Sequence, residues 1–233
     1  MSLTYSSYVT DLANLMVVSA TDANYLTVLP NIIDDAEQRI YRELDFLNTV
    51  VVSTSATISA NTRNMTLPSS VVYVVINTIS VLSSVGSRTP LIPASKEFID
   101  TVYPTSSASS ASVIPAYFGM VTDQDVVVGP PPGSAISLEV TGTTRPTPLS
   151  SNNSSTYLTQ YLPDLFMAAS MVFANGYLKN FSAMADDPQA PVTWEKTYQL
   201  RKQSAIEEEF RKKFGSQGWT SKSVNPIATP PRA

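Results

Sequence analysis

The side chains in this sequence that could take part in chemistry are mainly carboxylates. The sequence has neither cysteine nor histidine, so it lacks a thiolate nucleophile, cysteine metal ligands and the commonest general base. Adjacent acids occur at Asp34–Asp35 and Asp186–Asp187, without the spacing of a calcium-binding loop. We interpret both pairs as solvated faces or turns. The sequence therefore predicts no catalytic residue, no metal site and no cofactor.

Other catalytic signatures are also missing from the sequence. It contains no glycine-rich phosphate loop and no Gly-x-Ser-x-Gly nucleophile elbow. Two carboxylates that meet in the folded chain could still hydrolyse a glycosidic bond, although no particular pair stands out. A hydrolase therefore remains an alternative, and the composition favours a protein that is not an enzyme.

Charges are few and unevenly distributed along the chain. Charged residues make up 15% of the sequence, and the net charge is −4. Residues 1–50 hold seven acids and two bases, whereas residues 215–233 hold Lys222 and Arg232 and no acid. Phosphate binding needs clustered lysines and arginines, so we expect no DNA-gripping surface. No signal peptide is apparent, and no apolar run is long enough to predict a membrane helix.

Four amphipathic segments predict a helical bundle. The central one spans residues 157–181. Its apolar residues recur at the spacing of one helix face: Leu162, Leu165, Phe166, Ala169, Val172, Phe173, Gly176 and Tyr177. A first helix is expected at residues 4–18, a second from Pro30 to about Leu47, and a last one from near Thr193 to Phe214.

Between the second and the central helix, the apolar period changes from 3.6 to 2, which predicts strands. We expect a strand at 50–59 with a short partner at 62–68, and further strands at 71–82, 88–92, 116–121, 125–129 and 135–141. Ser95 is positioned to cap a short helix that buries Phe98, Ile99 and Val102. The Ser/Ala-rich residues 105–112 are interpreted as a loop.

Together these patterns predict an α+β protein. A bundle of about four helices, from residues 1–48 and 157–214, is interrupted by a contiguous, mainly antiparallel β insertion at 49–156. Residues 215–233 follow as an extended C-terminal arm. Trp219 in this arm has no helical partner, and a large apolar side chain in an extended segment usually needs a pocket. That pocket could belong to the chain's own bundle or to another subunit.

The order of several short motifs resembles a known family. They are Asn64–Pro68 (NMTLP), Tyr117–Phe118, Val128–Pro132 (VGPPP), Leu138–Thr141 (LEVT) and Leu162–Leu165 (LPDL), which opens an alanine-rich helix. In this order and spacing the chain resembles the head-to-tail adaptors of tailed bacteriophages, of the tail tubular protein A type found in short-tailed phages. The similarity covers roughly residues 5–215.

The resemblance implies a structural virion protein. It would form a ring of twelve copies beneath the portal protein, with the helical part above and the β part toward the tail nozzle or tail tube protein. Double-stranded DNA would pass through the centre without specific binding. The protein would reside in the phage neck, after assembly in the host cytoplasm, with no membrane contact.

Two sets of residues are candidates within such an assembly. An acidic lining would keep a channel from holding its DNA, and the candidates for it are Asp34, Glu37, Glu43, Glu207 and Glu208. The arm would bind the portal or an adjoining subunit through Trp219, Lys222, Ile227 and Arg232. Two alternatives stay open: another tail-completion protein, or a monomeric carbohydrate-binding or hydrolase module that uses the β insertion.

Overall fold

A computed structural model of the chain describes residues 2–83, 85–177 and 190–214. The chain forms two compact units. The helical unit comprises Met1–Leu47 and Thr147–Ala233, and the β unit comprises Asn48–Pro146. The predicted α+β class, with helices flanking a mainly antiparallel β region, is confirmed.

The described residues form six α-helices. They are α1 (Tyr5–Leu15), α2 (Ala23–Glu43), α3 (Lys96–Val102), α4 (Tyr157–Tyr161), α5 (Pro163–Tyr177) and α6 (Ala190–Phe214). A short 3₁₀ turn covers Leu47–Thr49. All the α-helices except α3 belong to the helical unit.

The first helix is shorter than the sequence predicts. Thr4 and Ser7 form a reciprocal capping box at its start. At its end, the Val17 N–H donates to Asn14 O and the Val18 N–H donates to Ala13 O, which is the Schellman pattern. This pattern places Val17 in the left-handed region, with a φ of 56°, where glycine is the usual residue. The helix thus ends without the glycine that would have marked the end in the sequence.

The second helix begins earlier than Pro30. Asp22 caps it by accepting a hydrogen bond from the Tyr25 N–H, and Pro30 lies inside the helix. Because Tyr25 and Leu29 are buried in the core, packing stabilises the first two turns despite the hydrogen bond that proline cannot make. The prediction that Pro30 opens the helix was therefore wrong.

The predicted central helix is divided at Leu162. Pro163 has no N–H to donate to Thr159 O, and a residue before proline disfavours helical geometry. Leu162 accordingly adopts φ −130° and ψ 45°. The Thr159 carbonyl accepts a hydrogen bond from the Leu3 N–H instead, at 2.8 Å. The structure describes α5 as far as Tyr177, so the predicted residues 178–181 lie outside the described part.

Helix α5 supplies much of the core of the helical unit. Tyr8 stacks on Phe166 with ring centroids 4.8 Å apart, and the Tyr8 hydroxyl donates to the Ser170 hydroxyl at 2.5 Å. Leu165 and Ala169 are also buried, as the apolar spacing predicts. Side chains from α1, α2 and α6 complete the core: Leu12, Tyr25, Leu29, Ile32, Ile33, Ile40 and Tyr198.

The β unit contains two four-stranded sheets. Its strands are β1 (Val50–Ile58), β2 (Asn64–Thr66), β3 (Tyr73–Leu82), β4 (Arg88–Pro90), β5 (Ile92–Pro93), β6 (Tyr117–Met120), β7 (Asp125–Gly129) and β8 (Ile136–Thr144). The first sheet has the order β1-β8-β3-β4 and the second β2-β7-β6-β5. The described strand pairs are antiparallel except β5 with β6.

A shared apolar core joins the two sheets. Both contribute buried side chains to it: Ala56, Ile58, Met65, Tyr73, Ile79, Val81, Phe118, Val126, Val128, Leu138 and Val140. The sequence predicted that residues 62–68 pair with β1, and this was wrong. Met65 of β2 pairs with Val126 of β7 instead, because the left-handed Asn61 turn (φ 57°) carries the chain into the second sheet.

Helix α3 covers the outer face of the second sheet. Ser95 caps it by accepting from the Phe98 N–H, as predicted. Of the three side chains expected inside, only Ile99 is buried, since Phe98 and Val102 are exposed. A side chain at Gly129 would collide with Ile99 and with Tyr103 just beyond the helix, so this glycine permits the close packing of helix on sheet.

Candidate assembly surfaces

The described residues hold no cluster of metal-ligating side chains. Among residues 2–83, 85–177 and 190–214, no group of three or more acidic side chains could hold a metal ion. No described helix is long and apolar enough to cross a membrane.

The five predicted channel acids do not form one surface. Asp34 and Glu43 of α2 are nine residues apart, about two and a half turns, and so lie on opposite sides of that helix.

The environments of the other channel acids differ as well. Asp34 is exposed and accepts a hydrogen bond from Gln38. Glu207 is exposed, and Glu208 pairs with Lys212 at 2.8 Å. These three acids and Glu43 lie where a solvent-filled channel could meet them, because all four are exposed or half-exposed, whereas Glu37 is buried.

Glu37 lies in the core of the helical unit, with only 3% of its surface exposed. Its carboxylate accepts a hydrogen bond from the Leu149 N–H at 3.2 Å. Burial raises the pKa of Glu37 to about 7, and nearby Asp34 adds to the increase. Glu37 is therefore buried within its own chain, and a place for it in a channel lining stays a prediction.

Glu43 belongs to an ionic network between α2 and α6. Its carboxylate forms ion pairs with Arg39 at 2.9 Å and Lys202 at 3.0 Å. It also accepts a hydrogen bond from the Tyr198 hydroxyl at 2.8 Å. Burial raises the pKa of Glu43, but these hydrogen bonds outweigh the effect and leave its pKa below the usual value. Glu43 therefore stabilises the packing of two helices.

Arg39 is the centre of this network. Its guanidinium makes a two-pronged contact with Glu195 at 2.6 and 2.8 Å and lies 4.1 Å from the centroid of the Tyr198 ring. The hydrogen bonds from Arg39 lower the pKa of Glu195 to about 2. Planar arginine suits this combination of a forked ion pair and ring stacking. The sequence showed the charges of α6 but not that Glu195 and Tyr198 meet α2.

Glu209 is the second buried carboxylate, with 6% of its surface exposed. It accepts the Leu47 N–H at 3.1 Å and the Tyr157 hydroxyl at 3.1 Å, and Lys212 lies 2.8 Å away. Burial raises the pKa of Glu209, but the three hydrogen bonds outweigh it and lower the net value. The i, i+4 spacing of Glu209 and Lys213 would favour an ion pair between them on the helix surface. Lys213 contacts Asp45 instead.

The two buried glutamates, Glu209 and Glu37, bind the two segments of the helical unit that lead into and out of the β unit. Leu47 is the last residue of the helical unit before the β unit begins at Asn48. Leu149 follows soon after the chain returns at Thr147. Each connecting segment is therefore fixed to the helical unit through a backbone N–H that a buried carboxylate accepts.

A largely apolar groove of about 520 Å³ lies between the end of α2 and the last turns of α6. Leu44, Ile206 and Phe210 supply its apolar surface, and its polar residues are Glu43, Asp45, Glu209 and Lys213. Phe210 is 62% exposed and Ile206 40% exposed. We call this the α2–α6 groove.

The outer face of the first sheet in the β unit also exposes apolar side chains. Among the described residues, one end of this face carries no charged residue. Val52 of β1 lies opposite Thr141, and Val75 of β3 lies opposite Thr143. Both valines are more than half exposed. A charged pair, Arg88 with Glu139 at 2.8 Å, lies further along the same sheet. Such a face of valine and threonine offers contact area without charge repulsion.

Comparison with known families assigns the chain. The family model described as SU10 adaptor protein matches residues 3–224. The match spans both units, so the chain belongs to this family and is a structural adaptor of the bacteriophage head–tail junction. No curated protein matches the chain.

The assignment confirms part of what the sequence implied. A phage adaptor assembles with portal and tail proteins and resides at the neck of the virion. The finer type, tail tubular protein A, stays a prediction. The four predicted arm residues, Trp219, Lys222, Ile227 and Arg232, lie outside the residues that the structure describes.

Proposed function

We propose that this protein is a ring-forming head-to-tail adaptor of the tail tubular protein A type, which joins the portal to the tail nozzle and forms part of the DNA channel. The observation that carries the proposal is the family match over residues 3–224. Twelve copies in the ring is the number that the resemblance implies. The protein acts as a structural component and not as an enzyme.

The surfaces of the single chain support assembly into a ring. A ring needs contact areas between neighbouring copies that tolerate water before assembly. The Val/Thr face of the first sheet has this character, because Val52 and Val75 are exposed between threonines. The exposed surface of α6 is similar at Leu200, which is 73% exposed.

The acids best placed for a channel lining are those that the single chain exposes. Asp34, Glu43 and Glu207 are exposed and Glu208 is half-exposed, whereas Glu37 is buried. Repulsion between exposed charges fades beyond about 8 Å at physiological salt, so a thin acidic lining would affect only DNA that passes close by. Exchanging these acids for lysine should slow DNA ejection at low salt, and unchanged ejection would place them outside the channel.

The arm at residues 215–233 is proposed as an assembly element. It contains nineteen residues with Lys222, Arg232 and no acid, and extended it would span at most about 65 Å. Prolines at 226, 230 and 231 reduce the entropy that the free chain loses on docking. We propose that the arm contacts the portal or an adjoining subunit.

Truncation after Phe214 tests the arm. We expect a folded protein with unchanged helical circular dichroism that no longer attaches to portal. Attachment equal to that of the full chain would move the docking surface to the helical unit. The mass of the full chain in solution tests the wider proposal: a compact monomer that binds sugar would favour the carbohydrate-binding alternative over an adaptor.

A further inference from the structure

The α2–α6 groove is an open apolar concavity at one end of the helical unit. Its volume is about 520 Å³, and Phe210 is 62% exposed beside it. Apolar surface that remains in water contributes nothing to stability, and each Å² removed from water is worth about 25 cal/mol. A large apolar side chain that entered the groove would be stabilised by this removal of apolar surface from water.

The position of the groove determines which side chain can reach it. The structure describes α6 as far as Phe214. Phe210 lies about 6 Å and Ile206 about 12 Å before Phe214 along the helix axis. Trp219 follows Phe214 by five residues, a reach of at most about 17 Å when extended. Gly215 and Gly218 lie between them, and glycines allow the left-handed geometry that a reversal of the chain needs.

The charges of the groove and of the arm are complementary. Glu43, Asp45 and Glu209 border the groove together with Lys213. Lys202, Lys213 and Lys212 pair with these three acids, so a further lysine would join an existing ionic network. The arm has Lys222 three residues after Trp219, and no acid. The Asp45 carboxylate pairs with Lys213 through Oδ2 and is largely exposed, so Oδ1 could accept the indole N–H. This N–H is the single polar group of the tryptophan side chain and usually finds an acceptor when buried.

The extent of the family match agrees with this pairing. The match continues through residue 224, beyond Phe214, the last described residue of α6. It therefore includes Trp219 and Lys222 and excludes Ile227 and Arg232. The segment that could enter the groove falls within the sequence pattern of the family, and the remainder of the arm does not.

We propose that Trp219 docks in the α2–α6 groove of its own chain, with Lys222 above the acidic border. This proposal concerns the single subunit and is independent of the ring. It assigns the two halves of the arm different tasks. Residues 215–224 anchor the arm at a fixed point, and Ile227 and Arg232 remain for the partner contact proposed above.

Fluorescence of the full-length protein tests the proposal. The chain has two tryptophans, and Trp194→Phe leaves Trp219 as the single reporter. We expect Trp219 to emit at short wavelength and to resist quenching by acrylamide several-fold better than a free indole. Dilution of the protein should leave this protection unchanged, because the contact lies within one chain.

Groove variants identify the site. In the Trp194→Phe background, Ile206→Ala and Phe210→Ala should each expose Trp219 to acrylamide. Leu200→Ala is the matched control, because Leu200 is a 73% exposed residue of the same helix and does not line the groove. Circular dichroism confirms that each variant stays helical, which alanine favours.

Three results would overturn the proposal. Full quenching of Trp219 in the parent protein would show that it is in water. Protection that disappears on dilution would show that a second copy supplies the contact. Protection that persists in both groove variants would place Trp219 elsewhere on the molecule.

Discussion

Glu37 and Glu209 perform the same task in opposite electrostatic settings. Each is buried, and each accepts the backbone N–H of a segment that leads to or from the β unit. Glu209 is accompanied by Lys212 at 2.8 Å and the Tyr157 hydroxyl, and its pKa is lowered. Burial raises the pKa of Glu37 to about 7, and the neighbouring charge of Asp34 adds to the increase.

This contrast shows that a buried carboxylate is not stabilising by itself. The charged form of Glu209 meets donors that compensate for its lost hydration, whereas the charged form of Glu37 has one backbone donor and an acid nearby. A buried charge without adequate partners reduces stability, and the group binds a proton instead. The connection at Leu47 therefore depends on a charged Glu209, whereas the connection at Leu149 is more stable when Glu37 is neutral.

Removal of Glu209 should have the largest effect. Glu209→Ala takes the acceptor from the Leu47 N–H, the Tyr157 hydroxyl and Lys212, and should lower the free energy of unfolding by about 3 kcal/mol. Urea denaturation at pH 7.5 measures this change. Glu207→Ala is the control, since Glu207 is an exposed acid of the same helix, and it should alter stability by less than about 0.5 kcal/mol. Equal losses for the two variants would contradict the role of Glu209.

Glu37→Gln should raise the free energy of unfolding, and the size of this increase should depend on pH. Because the pKa of Glu37 rises from 4.5 to about 7 on folding, the folded state binds its proton more tightly, and stability is lost as pH rises between these values. Glutamine keeps a carbonyl for the Leu149 N–H without the charge.

We therefore expect Glu37→Gln to stabilise the protein by about 2 kcal/mol at pH 8 and to have little effect at pH 5, where the acid is already mostly neutral. Thermal denaturation at both pH values provides the measurement. Asp34→Asn, on the same helix but exposed, serves as the control. A loss of stability in Glu37→Gln at pH 8 would show that the buried carboxylate is ionised and compensated after all.

Lys212→Ala should have the smallest effect on stability. It should also make the electrostatic setting of Glu209 more like that of Glu37. The lysine is partly exposed, so its removal should lower the free energy of unfolding by about 1 kcal/mol. The pKa of Glu209 should then rise toward its ordinary value, which NMR titration of the carboxyl carbon would follow. Lys196→Ala, another exposed lysine of α6, is the control and should leave that titration unchanged.

The sequence predicted those parts of the fold that depend on local pattern. Apolar spacing placed α5 and its buried residues Leu165, Phe166 and Ala169, and alternation placed β1, β3 and β8. Ser95 was found as a helix cap from its position before an apolar turn. In each case the physical cause lies within a few residues of the element itself.

Errors arose where a distant contact decides the local geometry. The core contacts of Tyr25 and Leu29 carry α2 through Pro30. Nothing near residues 62–68 shows that Met65 pairs with Val126. The end of α1 at a left-handed valine was likewise invisible, because that position normally carries glycine.

The candidate assembly residues illustrate the same limit. An acid on a predicted helix is usually exposed, which made Glu37 and Glu43 reasonable channel candidates. The burial of Glu37 beside Leu149 and the ion pairing of Glu43 with α6 both depend on residues more than a hundred positions away in the sequence. Glu43 could have been suspected only if the facing positions on α2 and α6 had been known.

Electron microscopy of the protein mixed with its portal protein tests the central claim most directly. If the chain is a ring-forming head-to-tail adaptor, negatively stained particles should show a second ring attached coaxially to the portal, with an open central channel. The chain truncated after Phe214 should leave portal rings bare. Portal rings that stay bare in the presence of the intact, folded chain would contradict the account.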